Sequence, residues 1–101
     1  MKLQISTSDL PLEGTVRTQI EKRLGSDLEK ILKHFPEDVR QATVHVSKRS
    51  RHGYKATFEM QLPGLRIYSE EKHDDFPTLM TRLRDEVKRQ IRKHKEKLVE
   101  K

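Results

Sequence analysis

The last quarter of the chain, from Asp75 onward, limits the fold more than any other stretch. Its apolar residues recur at steps of three and four, as on one face of an α-helix; they are Leu79, Met80, Leu83, Val87, Ile91 and Leu98. At about 100° per residue, two cationic rows flank this stripe; one is Arg84, Lys88, Arg92 and Lys95, and the other is Arg82, Arg89 and Lys93. The pattern predicts a helix anchored by one face, and it is typical both of an RNA-binding helix and of a solvated basic one.

The composition indicates one folded domain with an anionic partner. Only 32% of the 101 residues are hydrophobic, but they are periodic, which favours a single modest core over disorder. The net charge of +6 indicates nucleic acid first and a membrane surface second. The chain has no cysteine and no apolar run near the roughly 18 residues that cross a bilayer. We therefore expect a cytoplasmic protein with no membrane partner.

Four strands and two helices follow from the periodicities. The predicted strands cover 2–6, 42–48, 54–62 and 65–70, with a tight turn at Pro63-Gly64. The first helix is predicted over 12–34, with an irregularity at Gly25-Ser26, where helix propensity is poor. Its apolar stripe is Val16, Ile20, Leu24, Leu28, Ile31 and Phe35. Asp75 is the predicted N-cap of the last helix.

The order β-α-β-β-β-α predicts a two-layer α+β domain. Each helix has one apolar stripe and the strands alternate, so we expect a four-stranded sheet with both helices packed on one face and water on the other. The first two strands should be parallel and the remaining pairs antiparallel.

Neither catalysis nor metal binding is indicated. The five histidines lie far apart, and His73 with Asp74 and Asp75 falls where a helix cap is expected. The four glycines are isolated, and no nucleophile is paired with a base by spacing. We expect no enzyme, no cofactor and no metal site.

A basic surface remains as the candidate site. On the first helix, Lys22, Arg23, Lys30 and Lys33 lie away from the stripe, and 48–52 is a basic loop. Side-by-side helices would merge these cations into one patch for phosphates, which fix position rather than sequence choice. Aromatic residues make up only 5% of the chain, which favours structured RNA over a stacked single strand.

Several short segments, in order and at matching spacing, carry a family resemblance. They are MKLQIS at the N-terminus, Val16-Arg17, Ile20 and Arg23-Leu24 in the first helix, HVSK at 45–48, LPG at 62–64, and His73-x-Asp75 followed by KRQIRKHK at 88–95. Together they make nearly the whole chain similar to the short ribosome hibernation-promoting factors, also called ribosome-associated inhibitors.

The resemblance implies the same fold and a translation inhibitor of idle, stressed or stationary-phase cells. Such factors bind the small ribosomal subunit in the channel of the messenger and the A- and P-site transfer RNAs. The family pattern implies ribosomal RNA contacts by Arg23, Arg89, Lys93, Lys95 and Lys97. The helical wheel adds Lys22, Lys30, Arg82, Arg84, Lys88 and Arg92. We expect a monomer with a single ribosome-binding domain over 1–101 and no C-terminal dimerisation domain; cooperation with a second small hibernation factor stays open.

The chain departs from the family pattern at four places, one of which is Glu13-Gly14 in place of a better capping pair at the start of the first helix. Phe76-Pro77 replaces an aliphatic-Tyr pair, Glu86-Val87-Lys88 exchanges charges locally, and a small insertion falls within 25–28. Two other functions also stay open: a general double-stranded RNA-binding module, which would bind any duplex equally, and a regulator of a protein partner, which would tolerate charge reversal of the basic face.

Overall fold

A computed structural model of the protein describes residues 2–8, 15–33, 35, 36, 38, 40–49 and 53–99, and of positions 15 and 95–99 only the backbone. The strands are β1 (Lys2–Ser8), β2 (Gln41–Lys48), β3 (Tyr54–Leu62) and β4 (Leu65–His73). The helices are α1 (Thr15–Ile20), a π-helical segment (Glu21–Ser26), α2 (Asp27–Ile31) and α3 (Phe76–Val99). This confirms the predicted order, although β1 and β4 extend two and three residues beyond their predicted ends. Positions 12–14 and 34 of the predicted first helix lie outside the described residues.

The four strands form one mixed sheet in sequence order. As predicted, β1 and β2 are parallel, whereas β2–β3 and β3–β4 are antiparallel. Gly64, in the turn between β3 and β4, has a φ of 77°, a left-handed conformation that favours glycine. The three pairings make the edge strands β1 and β4 run in the same direction. After β1 comes the first helical region (residues 15–32, which comprise α1, the π-helical segment, α2 and Leu32), and after β4 comes α3.

The core lies between one face of the sheet and the helices. Its buried apolar residues are Ala42, Val44 and Val46 of β2, Ala56, Phe58, Met60 and Leu62 of β3, Ile67 of β4, Ile20, Leu24, Leu28 and Leu32 of the first helical region, and Leu79, Met80, Leu83, Val87 and Ile91 of α3. This confirms the predicted stripe of α3, except that the side chain of Leu98 lies outside the described residues. No described helix is both long and apolar enough to cross a bilayer.

The first helical region departs from α-helical geometry in its middle. Its four buried side chains recur every four residues, and in an α-helix such a row drifts sideways by about 40° at each step. A π-helix has more residues per turn than an α-helix, so the π-helical segment cancels this sideways drift and the buried row stays on one face. The predicted irregularity at Gly25-Ser26 is thus confirmed. The predicted stripe omits Leu32, which is buried, and its members Val16, Ile31 and Phe35 pack against the core while only partly buried.

Asp75 caps α3, as predicted. Its Oδ2 accepts hydrogen bonds from the hydroxyl of Thr78 at 2.6 Å and from the backbone N–H of Thr78 at 3.0 Å. Both bonds favour the charged carboxylate and hold the pKa of Asp75 below its ordinary value, with smaller contributions from the nearby His73 and Arg23. The backbone N–H of Asp75 donates to Nδ1 of His73 at 2.9 Å. His73 therefore takes part in the helix start, which is where the sequence placed it.

Truncating the stripe of α3 should cost far more stability than truncating its exposed face. Leu83 is fully buried, so Leu83→Ala should lower the free energy of unfolding by about 2–5 kcal/mol. The neighbouring Arg82 is exposed, so Arg82→Ala should change it by less than about 0.5 kcal/mol. Urea denaturation of the two variants measures the difference, and equal losses would contradict the assignment of faces.

The cap of α3 should make stability depend on acid pH. Because folding lowers the pKa of Asp75 from its ordinary value of 3.8, the charged cap stabilises the protein above that pH, and the stabilisation disappears as the pH falls through the lower folded pKa. Asp75→Asn keeps an acceptor oxygen but has no charge to titrate. The melting temperature of the unmodified protein should exceed that of Asp75→Asn at neutral pH, and the difference should shrink below about pH 3.8. A difference that is constant from pH 7 to pH 2.5 would contradict this account.

Candidate nucleic-acid interface

The two cationic rows of α3 face different neighbours. Arg84, in the first row, reaches Asp27 at the start of α2. Arg89 and Lys93, in the second row, line a cavity with Leu65 of β4. The helix therefore lies between the first helical region and the β3–β4 hairpin, and its cations border both.

Arg84 joins the two helical regions. Its Nη1 donates to Oδ2 of Asp27 at 2.7 Å, and its Nε and Nη2 donate to Oδ1 of Asp85 at 3.2 and 3.1 Å. The side chain is 23% exposed. This burial by itself lowers the pKa of Arg84, but the hydrogen bonds to Asp85 and Asp27 outweigh it and raise the pKa. Arg84 thus has a structural role, and its contact with RNA stays a prediction.

Arg89 is paired within its own helix. Its Nε donates to Oε2 of Glu86 at 3.0 Å, and its Nη2 donates to Oε1 of Glu86 at 2.5 Å. The hydrogen bonds and charge of Glu86 raise the pKa of Arg89. The bond from Arg89 in turn lowers the pKa of Glu86, against the effect of partial burial and with help from Gln90 and Lys93. The amide of Gln90 donates both to Oε1 of Glu86 at 3.3 Å and to the backbone carbonyl of Tyr68 at 2.9 Å, which ties this group to the edge of β4.

Seven of the predicted RNA-binding residues form no ion pair with any described residue. They are Lys22, Arg23, Lys30, Arg82, Lys88, Arg92 and Lys93. All of them are exposed except Lys88, which is half-buried. The side chains of Lys95 and Lys97 lie outside the described residues, as do positions 50–52 of the predicted basic loop. The helices thus bring cations from two distant parts of the sequence onto one side of the molecule.

The open face of the sheet differs in its electrostatics, because four of its charges form two ion pairs, whereas Lys2 and Lys72 there form no ion pair with a described residue. Nζ of Lys55 lies 2.9 Å from Oε1 of Glu70, and Nη2 of Arg66 lies 2.8 Å from Oε1 of Glu59. The bond and charge of Glu70 raise the pKa of Lys55, and Lys55 lowers that of Glu70 in the same way. Among the described residues, Tyr68 is the one large hydrophobic side chain that is exposed, and a lone ring is a poor platform for stacked bases.

A cavity of about 240 Å³ lies between α3 and the β3–β4 hairpin. Its lining residues are Leu65, Arg89, Gln90, Lys93 and His94. A Cβ built on Gly64 would lie 3.9 Å from Cε1 of His94, so the half-buried ring packs beside the turn. The cavity therefore has an apolar side and a side with two cationic groups.

Sequence reasoning missed two features of this surface. The pairing of Glu86 with Arg89 could have been predicted from the sequence, since an acid and a base three residues apart face each other on a helix. The pair Asp27–Arg84 joins residues 57 positions apart, so helical spacing could not indicate it. Within the described residues, no group of three or more histidines and acidic residues could hold a metal ion.

Comparison with known proteins supports a ribosomal association. The family model described as Sigma 54 modulation protein / S30EA ribosomal protein matches residues 3–99. The N-terminal domain of Protein Y from Thermus thermophilus superposes with a TM-score of 0.72 at 21% identity, covering 93% of this chain and 99% of that domain. A ribosomal subunit interface protein from Coxiella burnetii superposes with a TM-score of 0.73 at 16% identity, covering 95% of this chain and 99% of the other. At these identities the two structures establish the fold, and no curated protein sequence matches the chain.

The structural role of Arg84 can be separated from that of an exposed cation in the same row. Arg84→Gln should lower the free energy of unfolding by about 1 kcal/mol, because it removes a partly buried pair between α2 and α3. Arg92→Gln should change it by less than about 0.5 kcal/mol, because Arg92 is exposed and forms no ion pair with a described residue. Urea titrations of both variants measure this, and equal stability would contradict the role given to Arg84.

Proposed function

The chain belongs to the family described as Sigma 54 modulation protein / S30EA ribosomal protein, and we propose that it binds the small ribosomal subunit and inhibits translation in idle cells. The binding site is the channel that otherwise holds the messenger and the A- and P-site transfer RNAs. The protein acts there as a cytoplasmic binding factor and not as an enzyme. The family's description, which names a ribosomal protein, supports the ribosome as the partner.

One observation carries the proposal: most of the exposed cations that form no ion pair with a described residue lie on the helical side of the molecule. On the open sheet face, the charges of two pairs neutralise each other, Lys55–Glu70 and Arg66–Glu59. An RNA backbone is a dense array of phosphates, so a surface with uncompensated cations attracts it more strongly than a surface of internal pairs. The helical side is therefore the side that meets ribosomal RNA.

The fold holds these cations in a fixed arrangement. The stripe of α3 is fully buried, so the helix cannot roll on the sheet without exposing its apolar side chains to water. The rigid helix therefore fixes the backbone positions of four predicted RNA contacts relative to one another; they are Arg82, Lys88, Arg92 and Lys93. Rigid spacing of cations suits recognition of RNA shape, because phosphate contacts fix position and register rather than base sequence.

Inhibition follows from occupancy of the channel. A folded domain that is anchored there through phosphates excludes messenger and transfer RNA by volume alone, without any chemical step. Binding of this kind weakens steeply with salt, because each phosphate contact releases counterions. It is therefore reversible when competing RNA ligands become abundant.

Charge reversal on the second row of α3 should abolish binding without unfolding the protein. Arg89→Glu with Lys93→Glu changes two exposed side chains off the stripe, so the melting curve should keep its cooperative shape. Affinity for small subunits should fall more than tenfold, and the slope of log affinity against log salt should become shallower by about two. The matched control is Lys2→Glu with Lys72→Glu, which makes the same change of net charge at exposed positions of β1 and β4. Equal losses of affinity in both double variants would show that binding depends on net charge alone and not on the second row of α3.

Sucrose-gradient sedimentation with ribosomes tests the partner and the site. The protein should co-migrate with the small subunit at low salt, leave it at moderate salt, and be displaced by P-site transfer RNA. Binding that ignores transfer RNA, and goes equally to any RNA duplex, would favour a general double-stranded RNA-binding module. Failure to co-migrate even at low salt would overturn the proposal and leave a protein partner as the alternative.

A further inference from the structure

An acidic residue stands inside the second cationic row of α3. Glu86 has a side chain that is 29% exposed, and it binds Arg89, which is 53% exposed, through two hydrogen bonds. Its charge also acts on Lys93, since Lys93 contributes to the lowered pKa of Glu86. Glu86 therefore reduces the positive potential at the place where two predicted phosphate contacts lie side by side.

The pair occupies one of the two edges of the guanidinium at which a phosphate can accept two parallel hydrogen bonds. Arg89 presents Nε and Nη2 to the two carboxylate oxygens, in the parallel geometry by which arginine also takes two phosphate oxygens. One edge cannot serve a carboxylate and a phosphate at the same time. A phosphate that binds Arg89 in this geometry must displace Glu86.

The cavity beside α3 can receive the phosphate. Arg89, Gln90 and Lys93 line this cavity together, and its volume is about 240 Å³. The hairpin residue Leu65 and the ring of His94 also line this shallow, open cavity. The cationic groups of Arg89 and Lys93 thus border one space, whereas the Gln90 amide already donates to Tyr68 and Glu86.

We propose that an RNA phosphate binds in this cavity by taking Arg89 from Glu86, and that Glu86 is an internal competitor that sets the affinity of the site. The inference rests on the proposed ribosome binding and adds a regulating residue to it. The exchange is feasible because Arg89 is exposed and Glu86 only partly buried, and a surface ion pair of this kind is weak, so a phosphate with a second cation nearby can replace it. After displacement, Glu86 keeps the amide of Gln90 as a donor.

Binding of small ribosomal subunits by Glu86→Gln and by Glu59→Gln tests the proposal. The two variants change net charge equally, and each removes the acid of an exposed pair, Glu86–Arg89 on the helical side or Glu59–Arg66 on the open sheet face. Glu86→Gln should bind about three- to fivefold more tightly than the unmodified protein, whereas Glu59→Gln should bind as the unmodified protein does. Circular dichroism of both variants establishes that they are folded.

A double-mutant cycle separates competition from simple charge. If Glu86 acts by holding Arg89, the gain from Glu86→Gln should vanish when Arg89→Gln is already present. A gain that persists in that background, a gain shared by Glu59→Gln, or no gain at all would each overturn the inference while the unmodified protein still binds. Absence of ribosome binding by the unmodified protein would instead overturn the proposed function, and this inference with it.

Discussion

Burial of five side chains of α3 against the sheet and the π-helical segment holds the two layers of the molecule together. They form one narrow stripe, so the greater part of the helix circumference must face water. That remaining circumference is the longest regular surface of the protein, and it is where most of the predicted RNA-binding residues lie. The same packing therefore gives the domain its core and makes its cations a rigid, one-sided array.

The first helical region packs on the core with a different spacing of its buried residues. Its buried residues keep a spacing of four, which an α-helix cannot hold on one face over three steps. A π-helical segment restores the alignment, and it coincides with Gly25 and Ser26, which favour the α-helix weakly. Lys22 and Arg23 lie in this segment, so its geometry also decides where two of the predicted contacts point.

Periodicity predicted the fold because each element buries only one face. The strands of the hairpin alternate, and α3 keeps its apolar residues at steps of three and four, so both the element types and the core were readable from the sequence. Periodicity was less informative where the helix is not regular, and it missed Leu32, which the structure buries next to the partly buried Ile31. It located the cations of the candidate site but could not say which are engaged within the protein. Whether Arg84 is free depends on Asp27, which only the packing of two distant segments brings close.

The origin of the acid decides what each arginine of α3 can do. Arg84 pairs with Asp27 from another helical region, so taking it away would loosen the contact between α2 and α3 and cost stability. Arg89 pairs with Glu86 from its own helix, and that helix is already fixed by its buried stripe. Exchange of Glu86 for a phosphate therefore leaves the packing of the domain unchanged. Two arginines five positions apart on one helix thus divide between holding the fold and offering an exchangeable site, and the distinction comes from which segment supplies the partner carboxylate.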